Sequence, residues 1–293
     1  MTATSSFAPP GAAQVAADVE HALAEDLGQG DATAALLPAD AQARARLTCR
    51  DAAVIAGSAW FDACFRRLDP AVQIDWRVRD GDRVAADTLV CELAGHARSL
   101  VTAERTALNF LQLLSATATT TADHVAAVAG TAVRVLDTRK TVPGLRVAQK
   151  YAVRCGGARN HRLGLHDMVL IKENHIIAAG SISRAIETAR RTSPGIPVEV
   201  EVETLDEFDQ ALAAGADIIL LDELGNPDMR EAVARNRAHE SRGGSKARLE
   251  ASGSVNMTTV REIALTGVDY NSIGSITKHV QAVDLSLRIE FAQ

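Results

Sequence analysis

The spacing of apolar and polar positions changes along this chain. In residues 14–27, QVAADVEHALAEDL, the apolar residues Val15, Val19, Leu23 and Leu27 recur every fourth position, which predicts an amphipathic helix with Gly28 as its C-cap. Between 44 and 100 the texture becomes short strand-like pieces. VRDGDRV (78–84) carries an Asp-Gly turn and TLVCEL (88–93) follows it. A long helix is expected from about Val101 to Val128, with Thr102 and Arg105 near its start. This half predicts an α+β arrangement.

After residue 130 the rhythm is regular. Apolar strand candidates are VRVL (133–136), MVLI (168–171), VEVEV (198–202), DIILL (217–221), ARLEA (247–251) and YNSI (270–273). Helical patterns separate most of them: SISRAIETARR (181–191), TLDEFDQALAAG (204–215) and NMTTVREIALTG (256–267). Strand alternating with helix at this interval implies βαβ units and a parallel sheet. There is no dinucleotide fingerprint after the first strand and no Walker A sequence, and the near-uniform alternation fits a barrel better than a doubly wound sheet.

The residues just past these strands share a chemistry. Asp137-Thr138-Arg139-Lys140 follow the first and Lys172 the second, with Asn174 and His175 close behind. Glu201 lies near the end of the third and Asp222 follows the fourth; Ser252-Gly253 and Gly274 follow the last two. In α/β barrels the C-terminal strand ends build the active site, so six such ends in register point to one site.

Composition narrows the chemistry. Net charge is -6 and aromatic residues make up 3%, so neither a global basic field nor stacking platforms favour nucleic acid. No stretch reaches the roughly 20 apolar residues of a membrane span, and MTATSSFAPPGAAQ has neither the basic nor the apolar region of a signal peptide. The four cysteines, Cys49, Cys64, Cys91 and Cys155, are isolated and read as reduced thiols of a cytoplasmic protein.

Against that acidic background, residues 134–175 hold nine Lys or Arg and only three acids, a surplus of six positive charges. A solvated helix face is the usual reading of a basic run. Here Arg139, Lys140 and Lys172 adjoin strand ends, which favours a local anion site. His161 and His175 lack companions at metal-ligand spacing and read as donors to an anionic ligand. In EVEVE, Glu199, Glu201 and Glu203 share one face; a surface ion pair is the expectation for Glu199, a site role for Glu201 and Asp222. DIILLDELG resembles the phosphoribosyl pyrophosphate (PRPP) loop of type I phosphoribosyltransferases, but LGNPDM follows where that loop needs a Gly-Thr-rich cradle, so the match fails.

Taken together, TRKTVPGLR, KYAVRCGGARNHRLGLHDMVLIKENH, EVEVE, LLDE, EASGSVN and VDYNSIGSITKH resemble the quinolinate phosphoribosyltransferase family. EDLGQGDAT (25–33) and ERTALNFLQLLSATAT (104–119) extend the resemblance over nearly the whole chain from residue 20. It implies an incomplete six-stranded α/β barrel with an α+β N-terminal domain. The expected domains are 1–115, capping a partner's active site, 116–275, the catalytic barrel, and 276–293, returning to the N-terminal domain as a helix and strand. The implied reaction joins quinolinate and PRPP to give nicotinate mononucleotide, pyrophosphate and carbon dioxide in NAD synthesis, with Mg²⁺ as cofactor and a homodimer as the working unit.

The resemblance also implies roles. Arg139, His161 and Arg162 would hold the quinolinate carboxylates with Lys172 and His175 beside them, while Lys140 and Lys172 face the pyrophosphate. Glu201 and Asp222 would bind ribose hydroxyls, directly or through Mg²⁺, and stabilise charge at the anomeric carbon; with Lys140 they are the expected catalytic residues. Ser252, Gly253 and Gly274 would present N–H groups to the 5′-phosphate, with Thr138, Ser254, Ile273, Ser275 and Lys278 completing the substrate contacts. Arg105 would enter the neighbouring subunit's site. The chain departs from the family where many members have Asp-Asn instead of Asp222-Glu223, and where Lys278 takes the position of a phosphate-facing histidine, with His279 adjacent. The rivals are a same-fold paralogue from molybdate-transport loci and a non-catalytic anion-binding module. Intact Arg105, Arg139, His161 and Arg162 argue against the first, and intact Lys140, Glu201 and Asp222 against the second.

Overall fold

The computed structural model describes residues 8–291; residues 1–7 of the N-terminal stretch read above, and residues 292 and 293, lie outside the described residues. In chain order the elements are α1 (Ala12–Leu27), β1 (Gln42–Cys49), β2 (Ala53–Val54), α2 (Ser58–Leu68), β3 (Gln73–Trp76), β4 (Arg83–Val84), β5 (Thr88–His96), α3 (Ala97–Ala127), β6 (Arg134–Leu136), α4 (Arg146–Cys155), β7 (Val169–Ile171) and α5 (Glu173–Ala179). There follow α6 (Ile182–Thr192), β8 (Val198–Val202), α7 (Leu205–Ala213), β9 (Ile218–Asp222), α8 (Asn226–Ser241), β10 (Arg248–Ser252), α9 (Val260–Ala264), β11 (Tyr270–Ser272), α10 (Ser275–Lys278) and β12 (Leu285–Phe291). Two compact units result. Of the described residues, the first combines 8–122, 141–157 and 276–291; the second combines Asp123–Lys140 and Ala158–Ser275.

In the first unit an antiparallel sheet has the order β12-β1-β5-β3. In β1 alternate residues Ala43, Ala45 and Leu47 are buried, as a sheet with one covered face requires. α1 packs Val15, Val19 and Leu23 inward and ends at Gly28, whose φ of 49° closes the helix through an N–H donated to Ala24 O. The core takes Leu47, Trp60, Phe61, Phe65, Leu100, Leu111 and Leu114, each worth roughly 1.5–3 kcal/mol on burial. Both tryptophans keep a partner: Trp60 Nε1 donates to Asp18 and Trp76 Nε1 to Asp62, each at 2.9 Å. Gly156, after α4, lies so close to α3 that a β-carbon there would meet the Ala118 carbonyl and Thr121 Cβ at 2.5 Å. The expected helix after residue 279 is absent. Residues 279–284 run without helix because their backbone is used elsewhere, Val283 N–H on Gln112 O, Asp284 N–H on Asp51 and Asp284 O by Arg50 N–H. Only the strand expected there forms, as β12.

The second unit is a six-stranded parallel sheet in the order β6-β11-β10-β9-β8-β7. Neighbours follow the chain from β7 to β11 and then return to β6, the order of a barrel left open between β6 and β7. Every expected strand is found within one residue of its predicted bounds. Val198, Val200 and Val202 are buried on one face of β8, so the other face looks into the barrel. At the N-terminal strand ends, acids tie the sheet together. Asp217 accepts the Val198 N–H at 2.8 Å, and Asp269 the Leu249 N–H at 2.9 Å. At the open edge, Arg159 bridges Leu136 in parallel, adding a fragment of a further strand beside β6.

Candidate active site

The parallel register brings the polar strand ends to one rim. Asp222 and Ser252 are direct register partners, as are Ser272 and Leu136, while Glu201 lies opposite Leu220. At this rim Lys172 Nζ donates to Glu201 Oε2. Asp222 is pushed above the usual carboxylate range by burial first, then by Glu201, while Lys172 pulls it down; Glu223 and Lys140 act more weakly in the same opposed senses. Two half-buried carboxylates and two exposed ammonium groups therefore meet at one rim.

Lys140 reaches that patch past a glycine. A β-carbon at Gly274 would meet Lys140 Cδ at 2.9 Å and Thr138 Oγ1 at 3.5 Å. Thr138 Oγ1 accepts the Lys140 N–H at 3.0 Å, fixing the turn that presents the lysine. Ile273 is buried and its N–H already serves Leu136 O at 2.9 Å, so it supports the strand end with its backbone committed. Ser275 opens α10.

A second cationic group lies on the neighbouring segment. Arg162 donates through Nη1 to Met168 O at 3.3 Å, in a turn held by Asp167, which accepts N–H bonds from Leu163 at 2.7 Å and Gly164 at 3.0 Å. Burial and then Arg139 hold the Arg162 guanidinium below the usual arginine range, against Glu199 and Asp167. The charge of Arg139 thus acts on Arg162 where water is partly excluded, an arrangement that an anion stabilises. Beneath them Asp137, fully buried, accepts Asn160 Nδ2 at 2.6 Å and the His161 N–H at 2.8 Å, pinning this segment to the end of β6.

Glu199 is not on the surface as its surface-ion-pair expectation held: it is 0% exposed, because β8 turns its glutamates into the barrel. Its Oε2 lies 3.0 Å from His161 Nε2, and Glu250 Oε2 lies 3.5 Å from the same nitrogen. Glu250 went unnoticed in the sequence; its place inside the apolar strand ARLEAS, buried on both sides, was the available signal. His175 has a local task. Its Nδ1 accepts the Lys172 N–H at 3.0 Å, capping α5.

On the far side of the rim the backbone is strained. Glu223 (φ 54°) and Ser254 (φ 36°) both occupy the left-handed region, joined by a Ser254 Oγ–Glu223 Oε1 hydrogen bond of 3.1 Å. Gly253 lies between strand and loop where a β-carbon would meet the Glu223 side chain at 2.4 Å. Arg105 and Lys278 belong to the first unit. Arg105 is exposed on α3, and Lys278 lines a cleft of about 540 Å³ with Asn109, Gln112 and Val142.

An open α/β barrel whose strand ends gather arginine, lysine and paired carboxylates defines an enzyme that handles polyanionic small molecules. The sequence matches the quinolinate phosphoribosyl transferase C-terminal domain over residues 117–288 and the N-terminal domain over 31–115. A probable nicotinate-nucleotide pyrophosphorylase [carboxylating] from Synechocystis is 42% identical over 268 residues, spanning 91% of this chain and 90% of its own. The chloroplastic nicotinate-nucleotide pyrophosphorylase [carboxylating] of Arabidopsis thaliana is 38% identical, covering 93% of this chain and 82% of its own. Among solved structures, the nicotinate-nucleotide pyrophosphorylase of Francisella tularensis superposes with a TM-score of 0.92 at 43% identity, covering 98% of this chain and all of the other. The chain belongs to the quinolinate phosphoribosyltransferase family. Among the described residues no helix is long and apolar enough to cross a membrane.

Proposed function

We propose that this protein is a carboxylating nicotinate-nucleotide pyrophosphorylase, joining quinolinate to the ribosyl carbon of PRPP with release of pyrophosphate and carbon dioxide. The observation that carries the reading is the half-buried Arg139–Arg162 couple: burial, then the charge of Arg139, lowers Arg162, and a dicarboxylate neutralises both guanidiniums. The Synechocystis and Arabidopsis relatives are carboxylating nicotinate-nucleotide pyrophosphorylases by name, which supports the same reading.

In this reading the two guanidiniums and His161 grip the pyridine carboxylates and aim the ring nitrogen at the anomeric carbon. Lys140 and Lys172 neutralise the departing pyrophosphate. As the bond to pyrophosphate breaks, positive charge builds on the ribose ring, and the carboxylates of Glu201 and Asp222 stabilise it and hold the ribose hydroxyls. Lys172 holds Glu201 in place before substrate arrives. Ser252, Gly253, Ser254, Gly274 and Ser275 form the phosphate-facing side of the rim, with Thr138 shaping the turn.

Glu201 and Asp222 also suit Mg²⁺. Burial and mutual repulsion raise Asp222, and a divalent cation relieves both causes. These two residues would hold the ion, which when bound supplies positive charge to the leaving group. The working unit is a homodimer in which Arg105, exposed on α3, completes the partner's site. Four buried free cysteines support a reducing, cytoplasmic setting.

Purified protein with Mg²⁺ and PRPP is expected to convert quinolinate to nicotinate mononucleotide with stoichiometric carbon dioxide. Turnover of nicotinic acid but not of quinolinate would overturn the assignment. For the dimer, mixing inactive Arg105→Ala with inactive Lys140→Ala subunits is expected to restore part of the activity. No recovery despite demonstrated subunit exchange would place Arg105 in its own chain's site.

A further inference from the structure

Where β9 and β10 end, one side chain stands in a place that the reaction above does not explain. Glu223 and Ser254 hold the left-handed region at φ 54° and 36°, and Gly253 joins them at φ 79°. The Glu223 carboxyl group is laid on this turn. A β-carbon at Gly253 would meet its Cδ at 2.4 Å and its Oε1 at 2.6 Å, and the same Oε1 accepts the Ser254 hydroxyl at 3.1 Å. Among the described residues the Gly253 and Ser254 main-chain N–H groups donate to no protein acceptor, so donors are left over where the carboxylate rests. Turns that leave successive N–H groups unused in this way form anion-binding concavities.

The backbone around the contact is fixed. The Glu223 N–H donates to Ser252 O at 3.2 Å. The Ser254 carbonyl accepts Asn256 Nδ2 at 3.0 Å and Thr259 Oγ1 at 3.1 Å, and Thr259 Oγ1 in turn accepts the Asn256 N–H at 3.0 Å. The Glu223 side chain, by contrast, is exposed and held among the described residues by the Ser254 hydrogen bond alone. The loop is therefore the rigid partner and the carboxylate the one that can leave.

We propose that Glu223 is an internal occupant of the 5′-phosphate cradle: its carboxylate, seated on Gly253 and Ser254, swings aside for the phosphate of PRPP and returns as the phosphate of the product departs. A phosphate monoester carries a charge of about -1.5 to -2 near neutral pH, so it and the carboxylate exclude each other from one turn. PRPP offsets this competition through its pyrophosphate, which meets Lys140 and Lys172. The product has lost that group while keeping the 5′-phosphate, so the returning carboxylate weighs against the product most.

The inference rests on the proposed function for the place of the phosphate, so its first test needs no turnover. Ribose 5-phosphate, which carries the 5′-phosphate without the pyrophosphate, is titrated calorimetrically into the parent, Glu223→Gln and Glu223→Asp, each checked for folding by its melting curve. Glutamine removes the charge, whereas aspartate keeps it and falls one methylene short of Ser254. Binding is expected to tighten about tenfold in Glu223→Gln and about threefold in Glu223→Asp. In steady-state assays Glu223→Gln is expected to lower KM for PRPP and the inhibition constant of nicotinate mononucleotide several-fold, with KM for quinolinate changed less than twofold. Unchanged or weaker ribose 5-phosphate binding in Glu223→Gln overturns the inference. So does an aspartate variant that binds like the parent, which would reduce Glu223 to a remote charge, and so does an absence of binding in all three proteins. The expected order of affinities in proteins inactive on quinolinate leaves the occupant standing and overturns the proposed function instead.

Discussion

Replacing Glu250 by glutamine should change how stability depends on pH. The Glu250 carboxyl is 1% exposed, and burial, then Glu199, lifts it from 4.5 to about 8 against the opposing pull of His161 and Ser272. In the unfolded chain the same carboxyl ionises near 4.5. Between pH 4.5 and about 8 the folded chain therefore holds a proton that the unfolded chain has released, and stability falls as pH rises through that window. The contribution is fully present below 4.5 and is lost once pH passes about 8. The gap from 4.5 to about 8 sets a ceiling of roughly 5 kcal/mol, and structural relaxation leaves on the order of 2–3 kcal/mol to be observed. Glutamine has the same shape and no proton to lose. Guanidinium unfolding of both proteins at pH 5, 6, 7 and 8, followed by far-UV circular dichroism, isolates the effect. Acids of opposite slope, such as Asp31, lowered chiefly by the Ala34 N–H and the Thr102 hydroxyl, are common to both and cancel in the difference. The glutamine variant should gain about 2–3 kcal/mol relative to the parent between pH 5 and 8. Parallel profiles would mean that Glu250 ionises normally, and the argument for a retained buried proton would fall.

Gly156→Ala should lower stability by about 2–4 kcal/mol, because its β-carbon meets α3 backbone at 2.5 Å and α4 has to back away; a melting temperature like the parent's would contradict this. Glu223→Asn should raise the melting temperature by about 2–4 °C, since asparagine tolerates φ 54° and relief of about 1 kcal/mol exceeds the loss of an exposed hydrogen bond to Ser254; scanning calorimetry decides it. Gly274→Ala should leave stability within about 1 kcal/mol, as the flexible Lys140 side chain gives way, yet raise KM for PRPP several-fold in steady-state assays. Arg162→Lys should raise KM for quinolinate about tenfold or more, because an ammonium lacks the fork that meets a carboxylate twice.

The barrel was legible because each strand is a short apolar run with its polar end residue in place, and parallel pairing converts that linear pattern into a shared rim. Val198, Val200 and Val202 announced β8 on their own. The same alternation hid Glu199. On an open sheet the second face meets solvent, so glutamates there look like surface residues; in a barrel that face is the interior. The link from His161 to Glu250 joins positions far apart in sequence, and no local spacing signals it. His175 also has a role the sequence does not announce: its Nδ1 caps α5, which appears only when the turn after Lys172 has a conformation. The destination of residues 141–157 was illegible for a related reason. Their helical pattern was present, but only long-range packing, such as Gln149 on Thr117 and Thr277 O, assigns α4 to the first unit.

β1 has a neighbour on each side, β5 from the same part of the chain and β12 from its last described residues. During synthesis the ribosome delivers β1, β3 and β5 long before β12, so one flank of β1 emerges with its backbone hydrogen bonds unmade. That flank, seven paired positions from Ala43 to Cys49, is an adhesive edge until β12 pairs with it. Docking of β12 is thus also the moment at which the nascent sheet loses its capacity to join another copy. A premature stop anywhere after residue 96 and before residue 285 yields a product with that edge permanently open, destined for aggregation or proteolysis.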